Sequence, residues 1–345
     1  MCIYYGNKEE LTYCSQEHVL PAALGCHTKL VSGVVSDQAN KYFSPIERDV
    51  IEHSLIQFPR IIQGPGKRGT LSPKYATTSG ISVVEIDGKK CLGYMKGTKA
   101  YICNQFLIDG DKLRFIKGDD SSNSNNYEAE INELKQSISN MGEKYVPVNM
   151  GEPKSKQIFI TFFKKKIHIG FSGELPGSRL DEIKEIFQAS FAIGKIGGDS
   201  GQPKLCLEVI QNDINVCILA AKTAINTLAN LTSHDWIVSE SHCDELIDMI
   251  MSGSKDIFSR VFGLREVQII KKCLYVKENQ HACILLRCGH TLKAYVFFYN
   301  FGYTISLADN FRSALPFLVD GIVCDWENQT DYRYLHYLHH IGVLQ

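Results

Sequence analysis

The chain has 345 residues, a formal net charge of −1 and 44% apolar residues, which suits one large domain or two to three smaller ones with a real core. The near-neutral balance excludes a protein whose overall charge is built for a polyanion, so any nucleic-acid surface must be a local patch. Its 12 cysteines are scattered without a single C-x-x-C pair, and the opening MCIYYGNKEELTYC has neither a basic region nor a long apolar run; the expectation is no signal peptide, free thiols and a reducing, cytoplasmic setting.

In chain order, residues 1–57 read as short strand-like pieces followed by a helix. DQANKYFSPIERDVIEHSLI suits a helix from about Asp37, with Ser36 or Asp37 as N-cap. Pro45 inside it predicts a kink or two pieces. Residues 58–120 read as β-rich: ISVVEIDGKKCLGY carries an Asp-Gly hairpin signal, and KLRFIKG is a further short strand. GDDSSNSNNYE (118–128) is a polar linker. Residues 121–345 then form an α/β C-terminal domain of unassigned role. In it YEAEINELKQSISNMGEK places Ile131, Leu134 and Ile138 on one helical stripe. QIFITFFKKKIHIGFSG gives one or two strands, and LDEIKEIFQASFAIG a helix. INVCILAAKTAINTLANL (214–231) reads as a buried helix interrupted by Lys222, not a membrane span. SESHCDELIDMIMSG is a second helix; EVQIIKKCLYV, HACILLRCGHTLKAYVFFYN and YTISLAD are strands. YLHYLHHIG is a tail helix packing Leu335 and Leu338. The fold class is α+β.

The chemistry concentrates near the start, in CSQEHVLPAALG. In a plain strand Glu17 and His18 would face opposite ways, and one would be buried without a partner. A strand–loop–strand–helix unit can instead bring Glu17, His18 and Asn40 to one point. A neutral imidazole takes a proton from water. A carboxylate and an amide oxygen are hard donors for Mg²⁺ or Mn²⁺, and that trio suits metal-assisted phosphodiester hydrolysis.

EHVLPAALG followed by VVSDQANKYFSPIE resembles the HNH (ββα-metal, His-Me finger) endonucleases. The similarity is to the bacterial group with Cys-x-x-Cys, Glu-His-x-x-Pro-x-x-Leu-Gly-Gly and Cys-x-x-Cys-Asn. The resemblance implies an N-terminal ββα-metal unit cutting DNA, with His18 as general base, Glu17 and Asn40 as ligands of Mg²⁺ or Mn²⁺, and Glu47 as a helix-borne support. It also implies a cytoplasmic antiviral-defence setting by analogy. The chain departs from the pattern at the thiolates: CIYY leaves Cys2 alone, and SDQAN puts Ser36 and Ala39 where cysteines stand. No structural zinc is therefore expected; packing around Tyr5, Phe43 and Ile46 takes its place. A rescued site from Cys2, Cys14, Cys26 and His27 has no support in the spacing. The region from KTAINTLANL to HACILLRCGHTLKAYV loosely resembles the C-terminal part of similar proteins.

Among other features, GPGKRG (64–69) offers Lys67 and Arg68 in a turn that suits DNA phosphate, with Lys41 on the helix as a further backbone contact. KKKIHIG (164–170) reads as a solvated edge. His281, Cys283, Cys288 and His290 mimic a zinc set but alternate like a strand pair. GKIGGDSGQ (194–202) reads as a loop without a phosphate-binding ending. The expected partner is DNA, with RNA, a regulatory subunit or a homo-oligomer left open, and no membrane. The alternatives are a non-catalytic nucleic-acid- or protein-binding module on a decayed HNH fold, or a toxin-like nuclease held by a small partner.

Overall fold

The computed structural model describes residues 1–8, 10–72, 76–86, 88–110, 112–119, 127–139, 145–151, 157–172, 183, 192–194, 204–206, 211–232, 236–237, 243–309 and 315–344. The chain is α+β and divides into two compact units, one built from residues 1–77 and 210–345, the other from residues 78–209. This differs from the expected division at 57 and 120. The N-terminal segment shares its unit with the last third of the chain, and the intervening residues fold as an insertion.

Helix α1 (Asp37–His53) starts on Ser36, whose side chain accepts from the Ala39 N–H at 3.3 Å. It runs through Pro45 as one helix, against expectation. Proline at 45 costs the carbonyl of Lys41 its helical donor, but both residues lie on the exposed face, open to solvent. Residues expected to open a β-rich segment instead form α2 (Gln57–Gln63) and a single 3₁₀ turn, Lys67–Gly69.

In the 78–209 unit, β1 (Ser82–Ile86) and β2 (Lys89–Lys96) form the expected hairpin. With β3 (Lys99–Ile102) and β10 (Lys204–Cys206) they make a four-stranded sheet in the order β10-β1-β2-β3. A six-stranded sheet, ordered β6-β8-β7-β4-β5-β9, comprises β4 (Gln105–Asp109), β5 (Lys112–Ile116), β6 (Val146–Asn149), β7 (Ile158–Phe163), β8 (Lys166–Phe171) and β9 (Ala192–Gly194). Alternation along β4 sends Phe106 toward Ile131, Leu134 and Ile138 of α3 (Tyr127–Ser139), and Leu107 toward Val84 and Leu92 of the smaller sheet. The helical stripe read from the sequence is thus a buried face. Most of the polar linker, the 194–202 loop and the helix expected over 180–194 lie outside the described residues, apart from Ile183 and strand β9.

The other unit is centred on α4 (Asp213–Leu231), followed by α5 (Asp244–Ser252), β11 (Val261–Gly263) and α6 (Val267–Cys273). Next come β12 (His281–Cys288), β13 (Thr291–Phe298), β14 (Phe301–Ala308), β15 (Val319–Asp325), β16 (Thr330–Arg333) and α7 (Tyr334–His340). The strands form an antiparallel sheet ordered β11-β14-β13-β12-β15-β16. Cys283, Leu285, Ala294 and Val296 face α4 and the N-terminal segment; Ala282, Ile284, Phe297 and Val323 face α6 and α7. By length and composition α4 could cross a membrane, yet 83% of its apolar window is buried in this fold.

The stretch EVQIIKKCLYV, expected as a strand, is helix α6. Lys271 on it is buried and donates to the carbonyls of Glu278 (2.8 Å), Gln280 (3.0 Å) and Tyr299 (2.9 Å). The zinc-like set on β12 and β13 disperses, with His281 and Cys283 in the core and Cys288 and His290 exposed.

His281 makes a testable difference to stability. Its Nδ1 accepts from the Tyr299 N–H at 3.1 Å, and its Nε2 is buried without a partner among the described residues. Burial, with the Lys271 ammonium adding to it, lowers the imidazole from 6.5 to about 3. The folded value lies below the unfolded one, so this contribution is complete above the unfolded value and is lost as pH falls toward the folded one. Roughly 3 kcal/mol of stability is expected to go between about pH 7 and pH 4. Urea midpoints measured against pH should show the slope, and His281→Asn should flatten it; an unchanged slope in the variant would assign the acid sensitivity elsewhere.

Candidate functional site

The segment before Glu17 is fastened to the first turn of α1. Asp37 accepts from the Cys14 N–H (2.9 Å), the Ser15 N–H (2.9 Å) and the Ser15 hydroxyl (2.5 Å). These bonds, led by the Cys14 N–H, hold its carboxyl well below the usual carboxylate range. Gln38 adds a bond from its Nε2 to the Glu10 carbonyl (3.1 Å) and receives one from the Thr12 N–H (3.1 Å).

The chain then makes a very short antiparallel ladder. The Leu30 N–H donates to the Glu17 carbonyl at 2.8 Å and the Val19 N–H to the Thr28 carbonyl at 2.9 Å, with His18 opposite Lys29. The two pieces meet at this one bridge and neither is a strand among the described residues, so the strand-like pieces expected over residues 1–57 are turns and extended loop ahead of α1. The loop between them, containing the 3₁₀ turn Ala22–Leu24, is fixed from two sides. Asp331 of β16 accepts from the His27 N–H (2.7 Å), the Thr28 N–H (2.6 Å) and the Thr28 hydroxyl (2.8 Å). Arg60 of α2 donates to the carbonyls of Ala23 (3.1 Å) and Gly66 (3.2 Å). Gly69 lets the 64–70 turn lie directly on this loop: at φ +73° a side chain there would be strained, and its Cβ would meet the Ala22 oxygen at 2.9 Å. Lys67 in that turn and Lys41 on α1 are exposed; the Arg68 side chain lies outside the described residues.

Glu17 points inward and is 13% exposed. Its Oε1 meets the Lys222 ammonium of α4 at 2.5 Å, and Glu47 of α1 accepts from the same nitrogen. Lys222 is 3% exposed and also lies over the Phe43 ring, 4.9 Å from its centroid. Asn40, Phe43 and Glu47 fall at i, i+3 and i+7 on one face of α1. One turn along α4 from Lys222, Asn226 donates to the His18 carbonyl (3.0 Å) and accepts from the Tyr4 hydroxyl (2.7 Å).

Burial alone would pull Lys222 down, but Glu47 and Glu17 outweigh it and raise the ammonium above its ordinary value, so it stays charged. Two carboxylates share one cation; burial pushes Glu17 up, with Lys222 opposing. His18 is half-buried. Burial first, then Lys29, lowers its imidazole against the pull of Glu47, which leaves a neutral ring at neutral pH.

Of the expected site residues, Glu17 and Glu47 meet at a lysine, and His18 lies within the electrostatic reach of both Glu47 and Lys222. Asn40 instead donates from its Nδ2 to the Ser15 Oγ at 2.9 Å, and its Oδ1 is buried without a partner among the described residues. Among the described residues no hydrogen bond links Asn40 to Glu17. Cys2, Cys14 and Cys26 occupy three settings. Cys2 accepts from the Ser36 N–H and hydroxyl, both at 3.4 Å; Cys14 is exposed; Cys26 donates to Asp331 at 3.4 Å. Phe43 lies in the buried apolar cluster, and the partly buried Tyr5 and Ile46 pack against that cluster.

Sequence reasoning missed Lys222, Asn226 and Asp331. The signal for the first was present: a lysine inside a helix that is apolar all round must find anionic partners. Compared with family models, curated proteins and solved structures, the chain gives no match in any of the three.

Proposed function

We propose that the 1–57 segment is the catalytic centre of a metal-dependent endonuclease that hydrolyses DNA phosphodiester bonds, with His18 as general base. The observation that supports this reading is the half-buried His18, which follows Glu17 at a bridge to Lys29 ahead of α1, has its imidazole lowered by burial and feels the charge of Glu47. The closeness of Cys2 and Ser36 supports it too, because these are two positions where the resembling nucleases carry zinc thiolates.

The donor set suits a hard divalent ion. Asn40 Oδ1 is a buried acceptor with nothing to accept from, and Glu17 supplies a carboxylate. Glu17, now on Lys222, and Asn40, now on Ser15, would have to come together to hold Mg²⁺ or Mn²⁺, which would then supply charge neutralisation at the phosphate and the leaving oxygen. The chain's own residues do the rest. The His18 ring takes the proton of the attacking water. The ladder to Lys29 and the Asn226 bond fix its backbone. Lys41 and Lys67, both exposed, would meet DNA phosphates. A cytoplasmic role in defence against phage is the setting the resemblance suggests.

A second reading has its own observation. The Lys222 ammonium already bridges Glu17 and Glu47, as it would in a binding module that needs no metal. Incubation of the full chain with plasmid and with single-stranded DNA and RNA, in Mg²⁺ or Mn²⁺ and in EDTA, separates the two. Cleavage abolished by EDTA is expected. DNA binding without cleavage of any substrate would establish the binding module.

A further inference from the structure

We infer that the 78–209 unit carries a nucleic-acid-binding surface of its own, a corner where Lys96, Lys99, Lys164, Lys165 and Lys166 meet a phosphate backbone without reading its bases. The inference does not rest on the nuclease reading, because none of these residues belongs to the 1–57 segment.

KKKIHIG, expected as a solvated sheet edge, does not lie on one. β7 pairs with β4 and β8, and β8 with β7 and β6. Both strands are interior to their sheet and need no lysines against edge-to-edge pairing. The lysines stand instead at the turn joining the two strands, and they stand there at a cost. Lys164 and Lys165 fill both positions of a two-residue turn at φ +49° and +62°, the left-handed region where asparagine and glycine are favoured. In the neighbouring hairpin Lys96 of β2 lies directly opposite Lys99 of β3, a like-charge pair that weakens a ladder.

The two turns are fastened side by side. The Lys164 ammonium donates to the Thr78 carbonyl at 3.2 Å, and Thr78 pairs with Lys96 in a single bridge. Phe163, at the end of β7, stacks on Tyr94 with 4.8 Å between centroids, and Tyr94 stacks on Tyr101 of β3 at 5.5 Å. All five lysines are exposed, and among the described residues Lys96, Lys99, Lys165 and Lys166 form no ion pair. Five cations at one corner of a chain with net charge −1 make a local site for a polyanion. A lipid surface fits less well. No large apolar side chain is exposed among the described residues of this unit, so nothing there would enter a bilayer. A nucleic acid asks only for phosphate contacts.

The test is fluorescence anisotropy of short single-stranded DNA, duplex DNA and RNA with the full chain in EDTA, between about 50 and 200 mM salt, beside flotation with vesicles of phosphatidylcholine and phosphatidylserine. The parent is expected to bind nucleic acid. Lys96→Gln, Lys99→Gln, Lys165→Gly and Lys166→Gln together should weaken binding by about tenfold or more and lower the slope of log K against log salt by about 3. The same variant should melt no lower than the parent, since a repelling pair and a strained backbone position are both removed. Lys96→Arg, Lys99→Arg and Lys166→Arg together should retain binding. If the glutamine–glycine variant does not fold, Lys165→Gly alone should lower the slope by about one. Equal affinity and slope in the parent and these variants would overturn the inference, as would a parent that binds vesicles and no nucleic acid, or neither. Binding lost in the variant, with no cleavage by the parent in Mg²⁺ or Mn²⁺, would uphold the inference and remove the nuclease reading. Cleavage by a parent whose binding ignores these substitutions would leave the nuclease reading standing and remove this one.

Discussion

His18→Ala is expected to reduce DNA cleavage by about 10²- to 10⁴-fold, the usual worth of a positioned general base, while the protein stays folded. The two halves of this expectation come from different atoms. The backbone of residue 18 carries the structure, opposite Lys29 and through the carbonyl that accepts from Asn226, and alanine keeps both. The side chain is only half-buried, so its removal leaves little cavity. Initial nicking rates on supercoiled plasmid in Mn²⁺, with thermal unfolding of the same samples, check both halves. Equal rates in parent and variant would mean that another group takes the proton. A large fall in melting temperature would mean that the lost rate reports lost structure.

Asp331→Ala is expected to cost about 3 kcal/mol of stability, because three donors from residues 27 and 28 lose a charged acceptor together. The buried Cys26 thiol loses one of its two acceptors as well and keeps the Thr28 carbonyl. Asp331→Asn should recover part of the loss, since its amide oxygen still accepts. The same change should speed hydrogen exchange at the Thr28 amide, which is otherwise tied to β16, and lower cleavage through a loosened ladder at His18. Denaturant midpoints and exchange rates measure the two effects. A loss under about 1 kcal/mol, in the range of an ordinary surface change, would show that Arg60 and the 64–70 turn hold the loop unaided.

Local periodicity made much of the fold legible. The Asp-Gly hairpin, the Ile131–Leu134–Ile138 stripe and the buried 213–231 helix all follow from spacing within one element. Helix α6 was not legible, because Val267, Ile269 and Ile270 favour a strand intrinsically, and the deciding feature is remote. Lys271 at i+4 from Val267 finds its carbonyls on residues 278, 280 and 299, and pairing at that distance leaves no mark in the stretch itself. The division into units was hidden for the same reason. Nothing local announces that the chain after residue 209 rejoins the segment before residue 78. At the site, Glu17, His18 and Asn40 stand out because their types are costly where they are. The partner that satisfies Glu17 lies on another element, so the sequence poses the electrostatic question without its answer.

The distance along the chain between the two sides of that ion knot has a consequence for synthesis. Lys222 follows Glu17 by 205 positions, and the whole 78–209 unit is made in between. A nascent polypeptide that has emerged only as far as that insertion carries the imidazole and both acids, but not the ammonium that lets the acids sit together. The Glu17–Glu47–Lys222 cluster is therefore completed only after α4 has been made.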